Sequence, residues 1–93
     1  MVVGLLSLEL HLSGARSLKD KRMVLRSVKD RARRLNVAVA ELEHQDVWQR
    51  AGLGVVTIAP NEALARRELD AVVEMVEQLE PGSIARREVE FLT

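Results

Sequence analysis

Lys19, Arg22, Arg26, Lys29 and Arg33 stand 3, 4, 3 and 4 residues apart, the spacing that gathers side chains along one side of an α-helix. At about 3.6 residues per turn they fall within an arc of about 80°, and at about 1.5 Å per residue the row runs for roughly 21 Å. A row of fixed positive charge on that scale suits the repeated phosphates of a nucleic-acid backbone, so these five residues form a candidate nucleic-acid-binding stripe. Two plainer readings stand beside it: a solvated helix face, or a stripe neutralised by an acidic helix face or an acidic edge of another subunit. Arg22 with Arg26 and Lys29 with Arg33 are like-charged pairs four apart, each costing an isolated helix on the order of a few tenths of a kcal/mol. Helix stability therefore does not account for the row. The charge is also partitioned: residues 16–35 hold 9 of the 14 basic and 2 of the 14 acidic residues, which leaves +7 here and −7 elsewhere in a chain of zero net charge.

A second cluster occupies seven residues, with His44, Gln45, Asp46, Trp48 and Arg50 placing an imidazole, amides, a carboxylate, the single tryptophan and a guanidinium close together. As a recognition hairpin, Trp48 would stack on an unpaired base or anchor a protein interface while Arg50 takes a phosphate or carboxylate. As an acid/base pair, His44 with Asp46 is generic. No metal site is expected, because these two supply only two ligands and His11 is the one other histidine. The structural alternative has Trp48 closing the core beneath the hairpin while His44, Gln45 and Asp46 tie the turn. Arg16 and Ser17 precede a helix N-terminus, where free N–H groups favour an anion, and Ser17 is equally explained as the cap. Lys21 falls in the middle of the apolar arc of its helix. It either snorkels past the sheet edge or is buried against a carboxylate such as Glu9 or Glu43.

The elements that carry these residues follow from periodicity. Residues 2–12 alternate, with Val2, Leu6, Leu8, Leu10 and Leu12 on a core face and Val3, Leu5, Ser7, Glu9 and His11 on the other. Ser17 followed by Asp20 is a capping pattern, so a helix begins at Leu18; Val24, Leu25, Val28, Ala32 and Leu35 continue its apolar stripe, and Asn36 marks its stop. Val37 to Glu43 alternates again, with Val37, Val39, Glu41 and Glu43 on one face. The apolar run from Leu53 to Ala59 suits a central strand joined to the preceding one by a hairpin longer than two residues. Asn61 caps a second helix that runs to Pro81-Gly82, with Asp70, Glu74 and Glu77 on its exposed side. Ile84 to Leu92 is a final strand whose charged face suggests an edge. The order βαββαβ predicts an α+β, ferredoxin-like domain over residues 1–93, a four-stranded antiparallel sheet with two helices on one face.

No apolar run approaches the roughly 20 residues of a membrane span, no signal peptide opens the chain, and there are no cysteines. Those features predict a cytoplasmic protein without disulfides or thiolate metal sites. The sequence has no P-loop, no G-x-G-x-x-G, no H-E-x-x-H and no nucleophile elbow, so no catalytic residue or cofactor is assigned. Acylphosphatases of this fold use an arginine near the first strand-to-helix loop, but their glycine-rich loop is missing around Arg16. With Trp48 and Phe91 as the only aromatic residues, the sheet lacks the stacking platform of an RRM, which favours RNA contact through the helix.

Two stretches, Val2 to Leu5 running on to Gly14-Ala15-Arg16-Ser17-Leu18-Lys19-Asp20-Lys21-Arg22, and His44-Gln45-Asp46-Val47-Trp48-Gln49-Arg50-Ala51, resemble the YlxP-like family of small bacterial proteins. The resemblance covers nearly the whole chain and implies a ferredoxin-like fold. It brings no catalytic residues, and it implies a link to RNA or the ribosome through gene clusters shared with translation and ribosome-assembly factors. The expectation is a non-enzymatic RNA- or ribosome-associated protein that binds the phosphate backbone, or a ribosomal subunit, through the basic first helix. The alternative is a homo-oligomeric interaction or ligand-sensing module whose open sheet face, with Val3 and Leu5 and with Val37 and Val39 nearby, packs on a second sheet, as in a homodimer. A small enzyme using His44 and Asp46 on an anionic substrate is the third reading.

Overall fold

Alternation along the first strand decides which side of the sheet becomes the core. In a computed structural model, which describes residues 1–92, the elements follow as β1 (Val2–His11), α1 (Leu18–Ala32), β2 (Ala38–Glu43), β3 (Arg50–Ala59), α2 (Glu62–Leu79) and β4 (Ile84–Leu92). Thr93, the last residue of the predicted domain, lies outside the described residues. The sheet order is β2-β3-β1-β4 with antiparallel neighbours, the ferredoxin-like arrangement expected from the element order. Even-numbered residues of β1 from Leu6 to Leu10 are buried with Leu53 and Val55 of β3, Leu25 and Val28 of α1, and Leu69, Val72 and Val76 of α2. Period 2 in the strands and period 3.6 in the helices thus converge on one layer between sheet and helices.

Both helices start where their caps predict. Ser17 Oγ accepts from the Asp20 N–H at 3.1 Å, and the Asp20 carboxylate accepts from the Arg16 N–H at 2.9 Å. Asn61 Oδ1 accepts from the Leu64 N–H at 2.9 Å. α1 ends at Ala32, short of the predicted Asn36, because the chain tightens through Arg33 to Asn36. Asn36 is instead the clasp for the return into the sheet: its Nδ2 donates to Ile58 O at 2.8 Å and its carbonyl accepts from the buried Thr57 hydroxyl at 2.6 Å. At the far end Gly82 takes a φ of 75°, the left-handed conformation that glycine adopts without steric cost, and so turns the chain out of α2.

The β2–β3 ladder contains one irregularity that matters for the site. Glu41 pairs with Leu53, but Glu43 pairs with the adjacent Gly52, so Leu42 is the extra residue of a β-bulge. Glu41 stays on the helix side with Val37 and Val39, whereas Glu43 crosses to the open face beside Gly52 and Glu9. This corrects the expectation that Glu43 shares a face with Val39, since one inserted residue inverts the alternation. It also places Val37 and Val39 against the core, not on the open face beside Val3 and Leu5. Gly52 makes the bulge feasible, as a Cβ there would lie 2.8 Å from Glu43 Cβ. Gly52→Ala should therefore lower stability by about 1–3 kcal/mol in urea unfolding, with the largest loss of amide-exchange protection at the base of the hairpin.

Candidate nucleic-acid interface

The five stripe residues all emerge exposed, from a helix whose opposite face carries Leu25, Val28 and Ala32 into the core. Arg33 follows the last helical residue but keeps helical dihedrals, φ −60° and ψ −20°, so it stays in line with the others. Lys29 and Arg33 border a shallow groove with Val37, Ala38 and Val39, which sets the row along the β2 edge of the sheet. Arg31 and Arg34 flank a separate hollow with Ala71 and Met75 of α2. Arg33 makes an exposed contact of 3.4 Å with Asp30, while Lys19, Arg22, Arg26 and Lys29 form no ion pair among the described residues. Among the described residues no ion pair joins α1 to the acidic side of α2 either.

Lys21 has the opposite fate. It is 2 % exposed, and its ammonium lies 2.5 Å from His44 O, 2.7 Å from Val47 O and 2.7 Å from Glu41 Oε2. The snorkelling expectation is overturned, and the carboxylate partner is Glu41, not Glu9 or Glu43. Glu9 lies on the open face and the bulge carries Glu43 there too, leaving Glu41 as the acidic residue of β2 turned toward α1. The signal was present in the sequence, since Glu41 continues the Val37–Val39 alternation by which β2 meets the core. Glu41 Oε2 is buried and takes no conventional hydrogen bond, so the ammonium is its partner. The ammonium thus donates two hydrogen bonds to carbonyls and is paired with a carboxylate charge, the condition under which a buried lysine charge is tolerated.

The clamp defines the segment between β2 and β3. Lys21 holds two of its carbonyls, and the Val47 N–H closes back onto His44 O at 3.0 Å. His44 adopts a φ of 61°, a left-handed conformation uncommon for a residue with a Cβ, and its bridging carbonyl helps to hold it there. Gln49 secures the other side, with its carbonyl accepting from Leu12 N at 2.7 Å and its amide reaching Ala15 O at 3.5 Å. Gln45 gives a long contact to Glu41 O at 3.4 Å, and Asp46 is exposed. Trp48 is 47 % exposed, which corrects the expectation that it closes the core. The turn is tied by main-chain carbonyls and a lysine, so the indole is not needed inside.

His44 and Arg50 point to the open face of the sheet. His44 Nε2 lies 3.0 Å from Glu9 Oε1, and Arg50 donates to the same oxygen from Nε at 3.1 Å and Nη2 at 2.5 Å. The Arg50 hydrogen bond is the main reason that the Glu9 carboxyl is held below its usual range; the nearby His44 adds to this, and partial burial opposes it. Glu9, Glu43 and His44 have potential ligand atoms within 4.8 Å of one another, a set that the pairing of His44 with Asp46 does not anticipate. Arg50 already supplies a cation to Glu9, so the set is partly neutralised from within. No hydrogen bond or ion pair links His44 to Asp46 among the described residues, so the acid/base pair expected from sequence is not assembled. Beside this network a hollow of about 280 Å³ is bordered by Ser7, Leu42, Arg86 and Glu88. At the first helix, Arg16 is exposed and Ser17 is committed to its cap, with the Asp20 carboxylate already placed on the Arg16 N–H.

A family model described as a protein of unknown function, DUF503, matches residues 3–89. The chain belongs to the DUF503 family. It is 30% identical over 77 residues to the uncharacterized protein YlxP of Bacillus subtilis (strain 168), covering 82% of this chain and 84% of that one, as the YlxP-like motifs imply. A de novo designed protein with a ferredoxin fold, LFR1 1, superposes with a TM-score of 0.57 at 14% identity, covering 100% of this chain and 86% of the design. At3g17210 from Arabidopsis thaliana gives 0.56 at 11% identity, covering 98% and 93%. At such identities the structural likeness speaks for the fold alone. Within this DUF503 chain, Lys21 ties the Gly14 to Arg22 part of the first YlxP-like stretch to the second, His44 to Ala51.

Three outcomes follow from these contacts. Lys21→Met should cost about 2–4 kcal/mol, because it strands the Glu41 carboxylate and two carbonyls, and hydrogen exchange should report loosening of residues 44–49. Lys21→Arg should not restore stability, since a planar guanidinium does not fit a three-way ammonium site. Glu9 is more acidic folded than its ordinary 4.5, so its pair contributes stability that is complete above that value and is lost as pH falls through the lowered one. Glu9→Gln should therefore lower Tm at neutral pH, with the difference from wild type shrinking through the acid range below the ordinary glutamate pKa.

Proposed function

We propose that this DUF503 protein is a non-enzymatic factor that binds RNA, on its own or within a ribosomal subunit, by docking the phosphate backbone along Lys19, Arg22, Arg26, Lys29 and Arg33. The observation that carries the reading is that the charge of this row is unspent. The residues are exposed, and four of the five have no ion-pair partner among the described residues. Phosphate contacts by such residues release counterions, which makes affinity steeply dependent on salt and largely independent of sequence. The helix that presents the row is anchored at its N-terminal end by its cap and by Lys21, so the charges share one rigid support. No helix among the described residues is long and apolar enough to cross a membrane, and a cytoplasmic setting accords with this role. The gene neighbourhood implied by the YlxP-like resemblance points the same way.

A second reading, a homodimer through the open sheet face, has its own observation. Val3 and Leu5 adjoin Val56, Ile58 and Leu92 across the ladders, and Ile58 and Leu92 are 56% and 62% exposed. A second copy would cover that apolar end and leave the helices outside. Sedimentation at low concentration checks it, and a monomer there removes it.

The test of the main reading is a charge-reversal variant carrying Arg22→Glu, Arg26→Glu and Lys29→Glu. Co-sedimentation with ribosomal subunits and binding to RNA oligomers, each across a salt series, should both collapse. For single-stranded RNA the log–log salt slope should become shallower by about two units. Unchanged binding, or binding without salt dependence, rejects the proposal.

A further inference from the structure

We propose that the RNA taken by this surface carries an unpaired nucleotide beside its phosphate track, and that Trp48 is the platform on which that base stacks. The inference rests on the stripe reading above and specifies its ligand. Trp48 leaves nearly half of its surface in water, at 47 % exposure, although an indole is the side chain with the most apolar area to bury. The ring does not sit on a loose loop. Both carbonyls that bracket its turn, His44 O and Val47 O, lie within 2.7 Å of the buried Lys21 ammonium, and the following Gln49 is bonded to Leu12 and Ala15. A main chain held in this way on both sides of Trp48 gives up little freedom when a base settles on the ring, which is the advantage of a preorganised contact.

Location and charge select a base over a phosphate at this point. Lys21 lies between Lys19 and Arg22, so the hairpin that it grips adjoins the N-terminal end of the basic row. The tip itself presents no free cation: Arg50 is engaged with Glu9, and Asp46, two residues from Trp48, exposes a carboxylate that repels phosphate. What remains at the tip is an aromatic face flanked by the exposed Gln45 and Gln49, whose amide nitrogens reach Glu41 O and Ala15 O and whose amide oxygens can accept from a base edge. Phe91, the other aromatic residue, packs against the core with the Arg66 guanidinium 4.8 Å from its ring centroid, so it offers no second platform. In a fully paired A-form helix the base faces are occupied by their neighbours, and only an unpaired base has one to give.

Trp48 is the single tryptophan, so its fluorescence reports contact directly. The probes are an end-labelled single-stranded oligoadenylate and an end-labelled, fully paired RNA duplex with equal numbers of phosphates, titrated against wild type, Trp48→Ala, Trp48→Phe and the stripe-reversal variant at one salt concentration, with affinity read for every protein from the anisotropy of the labelled RNA and quenching read where Trp48 is retained. We expect the single strand, and not the duplex, to quench Trp48. Trp48→Ala should weaken single-strand binding by about tenfold or more while leaving the duplex unaffected, and Trp48→Phe should recover most of the loss. If Trp48→Ala changes neither ligand, or weakens both equally, stacking is rejected while a stripe-dependent loss still upholds backbone docking. If stripe reversal leaves binding intact, or neither RNA binds the wild type, both readings fall. Circular dichroism of the variants verifies that an exposed substitution has left the fold in place.

Discussion

An ammonium group placed 2 % exposed in a small domain would cost several kcal/mol if left alone. At Lys21 it has three oxygen partners: a paired carboxylate of β2 and two hydrogen-bonded main-chain carbonyls of the β2–β3 connection. Two hydrogen bonds and one ion pair reach partners 20 to 26 residues away in sequence, so one side chain of the first turn of α1 organises an edge strand and a six-residue connection. Because the turn is held from within by lysine, its apolar side chains are released from that duty. Trp48 and Val47 stay at the surface, and His44 can direct its carbonyl to the helix layer and its ring to the open face.

The two faces of the sheet are thereby given different electrostatic tasks. On the helix side the Lys21–Glu41 pair is enclosed and structural. On the open side Glu9 collects His44 and Arg50, across a bulge that delivers Glu43 to the same place. Neither network draws on the stripe. Lys19, Arg22, Arg26 and Lys29 are left without ion-pair partners among the described residues, on the flank of α1 nearest β2. Of the nine basic residues in 16–35, Arg16 precedes the cap, and the other eight divide into a clamp, an outward row, and Arg31 and Arg34 turned toward the hollow beside α2. A single count of positive charge conceals three different physical situations.

Much of this was legible in the sequence. The alternation of β1, the caps at Ser17 and Asn61, the stop at Pro81-Gly82 and the order βαββαβ each depend on a few neighbouring residues and on backbone geometry common to all proteins. The outward row followed from the same 3.6-residue arithmetic. The fate of Lys21, the exposure of Trp48 and the meeting of Glu9, Glu43 and His44 were decided only in three dimensions. They turn on strand register, and in particular on a bulge at Leu42 that moves Glu43, but not Glu41, to the other face. Periodicity tells which side of an element a residue occupies for as long as the period is unbroken. Which distant atom waits on that side is set by how the elements pair and pack, and a single inserted residue is enough to change it.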